Sequence, residues 1–179
     1  PYEGTDDYKD DYTSRGHWVN YLAGGSRVLP GRDGLKIPVD VTMALHSDAG
    51  KKIDDSIVGT LGIYYTNGGD SYVDGTPRIN SRMLTDMLMR QITTDIRQTY
   101  EPDWTRRSMW DKSYVEARVP EVPTSLIELM SHQNFGDMRY GLDPSFRFLV
   151  GRAVYKAIAR FVAERKSREV VIQPLPVKD

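Results

Sequence analysis

The 179-residue chain has no cysteine. That excludes disulfides and thiolate metal centres, so a metal site here would need nitrogen and oxygen ligands. Histidine is scarce: His17, His46 and His132 are the three present. An excess of one charge sign is missing too. Lys and Arg total 24 against 25 Asp and Glu, a formal net charge of -1. This balance gives no electrostatic reason to expect nucleic acid or an anionic membrane as partner. No apolar run approaches the roughly 20 residues of a membrane span. Residues 1–16, "PYEGTDDYKDDYTSRG", hold neither an initiator methionine nor the apolar core of a secretory signal. Internal repeats and low-complexity tracts are absent. The expectation is a single domain over 1–179, cut or processed from a longer chain, with an acidic lead-in at 1–12 and a tail at 166–179.

What is present suits a globular protein, with 39% hydrophobic and 27% charged residues. "TSRGHWVNYLAGG" reads as a short helix, capped by Thr13 or Ser14 and stopped at Gly24-Gly25. Val39 to Leu45 reads as a central strand covered on both faces, and Ile57 to Thr66 as a second strand. Ile79, Met83, Leu84, Met87, Leu88, Ile92 and Ile96 recur at helical spacing, predicting a long helix from Arg78 to Tyr100. "EPDWTRRSMWDK" reads as a connection, in which Arg106 and Arg107 are a solvated pair. "SYVEARV" reads as a short strand, "TSLIELM" as a buried one, and "SHQNFGDMRYGL" as irregular. Asp143-Pro144 opens a last helix whose inner side takes Phe148, Leu149, Ala153, Val154, Ala157, Ile158, Phe161 and Val162. "VVIQ" then reads as an edge strand. Strands alternating with helices and long loops predict an α/β three-layer sandwich: a mixed, mostly parallel sheet with helices on both faces.

Two strand ends carry chemistry. "VDVTMALHSDAG" delivers His46 and then Asp48 where open α/β sheets place their sites. Glu128 sits inside apolar "TSLIELM". An unpaired carboxylate is costly to bury, so it should face a cleft, a metal or a partner. The plainer alternatives are a satisfied histidine and a surface-facing glutamate on an edge strand. His132 follows Glu128 by four residues, over the same strand end. His17 reads as a helix-surface histidine.

Together these segments resemble the zinc-dependent N-acetylmuramoyl-L-alanine amidases of the amidase-3 family, over most of residues 13–165 and so over the C-terminal two-thirds of that catalytic domain. "VDVTMALHSDAG" resembles its histidine strand. "GTLGIYYTNGG…SRMLTDMLMRQI" resembles its Tyr-pair strand and following helix, and "VPTSLIELMSHQNFGDMRYGLDPSFRFLVGRAVYKAI" its glutamate strand and terminal helix. Secreted Bacteroidetes-type versions are sometimes labelled xanthan lyase.

The resemblance implies an amide hydrolase of peptidoglycan or muropeptides, extracellular or periplasmic. It implies one zinc ion, with His46 as a ligand and Glu128 as the catalytic proton shuttle. Asp48, His132 and Arg15 become candidates for substrate contact or for orienting the ligand. The family's first zinc histidine, in a GHGG-like turn, and its zinc glutamate precede the Arg-bearing helix. Residues 1–14 show neither motif. A catalytically inactive domain that binds cell-wall or other glycan is the alternative, and a carboxypeptidase-like zinc hydrolase a third possibility.

Overall fold

The computed structural model describes residues 4–26, 28–49 and 52–173. A four-stranded sheet, ordered β1-β4-β2-β3, organises it. The elements run α1 (Asp7–Ala23), β1 (Thr42–Asp48), β2 (Thr60–Tyr64), α2 (Ile79–Thr99), β3 (Arg106–Asp111), α3 (Val115–Arg118), β4 (Thr124–Ser131), α4 (Phe135–Gly141) and α5 (Pro144–Arg165). β1 pairs parallel with β4 and β2 parallel with β3, while β2 and β4 are antiparallel. The α/β sandwich with a mixed, mostly parallel sheet is therefore what forms.

The side-chain alternation of β4 explains the two layers around the sheet. Ile127 and Leu129 turn to the main core, built with Leu84, Leu88, Ile92 and Ile96 of α2 and Phe146, Val150, Ala153, Ala157 and Phe161 of α5. Leu126 turns the other way, into a small cluster with Leu61 and Ile63 of β2. α3 packs on that second side against β4 and β2, with α1 against α3. Glu128, two residues from Leu126, shares this thinly covered face.

Several expectations are corrected. The acidic lead-in expected at 1–12 is not separate from the first helix: its residues 7–12 are the opening of α1. Asp6 is the cap, accepting from Lys9 N at 3.0 Å, with Asp7 and Asp10 in the first turn. Those acids favour a helix N-terminus electrostatically; Thr13 and Ser14 lie inside the helix. β1 is an edge strand rather than a central one, and Leu45 is 56% exposed. "SYVEARV" is not a strand but holds the single helical turn α3. The strand is the polar "RRSMWD" of β3, held by pairing with β2 rather than by apolar content. "SHQNFGDMRYGL" contains α4, capped by Asn134.

On α5, Phe146 is buried while Phe148 is 76% exposed. The inward stripe thus starts at Phe146, two residues earlier than the sequence suggests, and the other seven expected residues, Leu149 to Val162, do pack in or against the core. Residues 170–173 form no strand, and 174–179 lie outside the described residues.

One glycine is demanded by the path into β2. Gly59 has φ +77, and a Cβ there would stand 2.1 Å from the Thr105 carbonyl oxygen. Gly59→Ala should therefore cost at least about 2 kcal/mol, from the left-handed backbone plus the clash. A lowered urea midpoint with unchanged slope would register it.

Candidate active site

The second face of the sheet forms the floor of a cleft of about 710 Å³. His46 and Glu128 are register partners on parallel strands, so their side chains stand next to each other on one face. Leu61 flanks Glu128 on the other side. One wall comes from α1, with Tyr8, Tyr12 and Arg15. The other comes from α3 and the turn before it, with Lys112, Tyr114 and Glu116.

Glu128 is a carboxyl shifted by its burial. Its Oε2 is buried and accepts no hydrogen bond from the described residues. Burial pushes its carboxyl above the ordinary glutamate value; His46 opposes that shift, Asp48 adds to it, Arg107 opposes and Glu116 adds. A carboxyl whose proton is held more tightly than usual is suited to taking a proton from a reacting group and returning it.

His46, with a side chain 31% exposed, meets a carboxylate that sequence reasoning did not single out. Its Nε2 lies 2.8 Å from Glu116 Oε2. The other oxygen of Glu116 accepts from Arg15 Nη1 at 3.0 Å, and Arg15 also pairs with Asp11. Arg15 thus belongs to the cleft. No local signal marks Glu116, because its role depends on a one-turn helix brought over β1 by tertiary packing.

The remaining candidates sit at the strand exits. A β-bulge separates His46 from Asp48 in the register with β4. Asp48 accepts from Arg107 Nη1 at 2.9 Å, so its partner is an arginine and not the imidazole. Arg106 and Arg107 are no solvated pair: Arg106 turns to Asp86 of α2 at 2.7 Å while Arg107 reaches Asp48. His132 Nδ1 lies 3.0 Å from Ser47 Oγ, at an exposed position that does not line the cleft. His17 Nδ1 lies 3.3 Å from Ser26 Oγ, and burial lowers its pKa.

Zinc requires about three protein donors converging on one point. Among the described residues no group of three His, Asp or Glu side chains is arranged to hold a metal ion. His46 supplies one nitrogen already engaged by Glu116, and both Glu116 oxygens have partners. These residues therefore do not fit a zinc site by themselves.

No protein-family model and no curated protein matches the sequence. Solved structures do match in shape. The N-acetylmuramyl-L-alanine amidase Ami1 from Mycobacterium smegmatis superposes with a TM-score of 0.61 at 16% identity, covering 86% of this chain and 61% of that one. The N-acetylmuramoyl-L-alanine amidase from Clostridium difficile 630 gives 0.58 at 13% identity, covering 71% and 60%. The catalytic domain of CwlV, from Bacillus (Paenibacillus) polymyxa var. colistinus, gives 0.53 at 12%, covering 81% and 80%.

The fold is that of these amidases. The chain spans about three fifths of the length of the first two. Among the described residues no helix is long and apolar enough to cross a membrane.

Proposed function

We propose that this domain is an amide hydrolase of N-acetylmuramoyl-L-alanine amidase type. Its substrate is peptidoglycan, cut between the muramoyl lactyl group and L-Ala, which places its work outside the cytoplasmic membrane. The observation that carries this is the in-register pair of His46 and Glu128 on the cleft floor, with a buried carboxylate oxygen that has no partner among the described residues. The amidase fold supports it.

In the proposed step, a water adds to the amide carbonyl and its proton passes to Glu128. Glu128 then returns that proton to the departing amine, so the C–N bond breaks with atoms balanced. His46, held against Glu116, flanks the reacting carbonyl.

The engagement of His46 by Glu116, together with the incomplete donor set, favours a second reading. In it, the domain binds cell-wall glycan without cutting it. One experiment separates the two. Full-length protein is incubated with purified muropeptides, and newly freed L-alanine amino groups are counted by mass spectrometry. Stem peptides released with free N-termini support the hydrolase. Retention on insoluble peptidoglycan with no release supports the binder.

A further inference from the structure

Where wall and floor of the cleft meet, Glu116 holds His46 in a contact that takes no part in the proton transfer itself. Glu116 is only 14% exposed, and both of its oxygens are taken by other elements. Arg15 of α1 donates to Oε1 at 3.0 Å, and His46 of β1 presents Nε2 to Oε2 at 2.8 Å. Three elements meet through one carboxylate.

A carboxylate only accepts hydrogen bonds, so the nitrogen facing it must carry hydrogen. The neutral imidazole is then the Nε2–H form, with its lone pair on Nδ1. Arg15 restrains the carboxylate from the opposite side, and Asp11 restrains Arg15. Charge-assisted bonds of this sort are short and directional. Such a restraint matters at His46, because β1 is an edge strand and the ring is partly open to solvent.

We propose that Glu116 is a positioning residue: clamped by Arg15, it holds the His46 ring in one orientation and one tautomer. The consequence is chemical. With the ring neutral, His46 accepts through Nδ1 a hydrogen bond from a water or a substrate N–H and does not donate one there. The kinetic side of this inference rests on the hydrolase reading, whereas the tautomer can be read without turnover.

The test uses the full chain with 15N-labelled histidine. Recorded in alkaline buffer, where the ring is neutral, wild type should show His46 as a single Nε2–H tautomer. Glu116→Ala should lose that single pattern, and Glu116→Gln should keep it, because its amide oxygen still accepts the Nε2 hydrogen. Arg15→Gln, at a side chain 47% exposed, loosens the clamp without opening a cavity and should broaden the His46 signals.

On muropeptides, Glu116→Ala should lower kcat on the order of 10–100-fold with KM little changed, and Glu116→Gln should recover most of it. A wild-type His46 protonated on Nδ1, or a His46 spectrum indifferent to Glu116→Ala, overturns the proposal. If the spectra behave as expected but wild type cuts no muropeptide, the hydrolase reading fails and the positioning role stands.

Discussion

Glu128→Gln should reduce muropeptide hydrolysis on the order of 10²–10⁴-fold while leaving the fold intact. The side chain keeps its length and its polar end but can no longer take a proton. KM should change little, because the loss falls on proton transfer and not on the cleft walls formed by α1 and α3. Near-normal turnover in this variant would make Glu128 a structural carboxylate and remove the step proposed above.

The same substitution has a second readout, in stability against pH. Folding raises the Glu128 pKa through burial, so the native state binds this proton more tightly than the unfolded chain does. Stability is then lost as pH rises from the ordinary glutamate value to the raised one, where the native carboxyl must ionise inside the cleft. It is regained as pH falls through that window. Glu128→Gln has no such carboxyl. Its thermal midpoint relative to wild type should therefore rise as pH is taken up through the window, and the difference should shrink again in acid. A difference that does not vary with pH would refute the assigned burial cost.

Asp137→Ala should destabilise the protein by at least about 3 kcal/mol, since each stranded buried donor costs about 1–3 kcal/mol and three are stranded. Asp137 is fully buried. Its Oδ1 accepts from Val58 N at 2.9 Å, and its Oδ2 from Ser131 N at 2.8 Å and Gly59 N at 3.2 Å. One carboxylate thus ties the lead into β2 to the end of β4. Removing it leaves three backbone N–H groups buried and unpaired. Against a usual domain stability of about 5–15 kcal/mol, that loss is large. Asp137→Asn should fall between the two, because one oxygen remains while the amide N–H₂ faces other donors. Chemical unfolding of the three proteins orders them, and a wild-type midpoint in the alanine variant would sink the prediction.

His46 and Glu128 were legible because an ionisable residue at the end of, or within, an apolar strand conflicts with burial, and that conflict is local. Their side-by-side register was not legible, since a parallel pairing between residues 82 positions apart depends on the whole sheet. α2 was legible from its long apolar period and α5 from Asp143-Pro144. α5's inward stripe was read correctly from Leu149 to Val162, but Phe148 was taken where Phe146 belongs, because the two are equally apolar and only packing against Trp104 and Tyr140 chooses between them. α1 was cut short because its first turns are acidic and carry no apolar stripe. β3 and α3 were exchanged for a related reason. Tyr114 and Val115 favour a strand by propensity, whereas Arg106 and Arg107 do not. Pairing with β2 overrode both preferences, and Glu116 was lost to view with them.

Arg107 lies on one edge strand of the sheet and Asp48 on the other, with β4 and β2 between them. Their ion pair therefore works as a tie-rod across the full width of the sheet, passing over the face that carries Glu128. The strand bearing His46 cannot peel away from β4 without breaking a contact anchored three strands distant. Fraying at one margin of the sheet is thereby made conditional on events at the opposite margin. A strand that looks peripheral by topology is mechanically part of the interior.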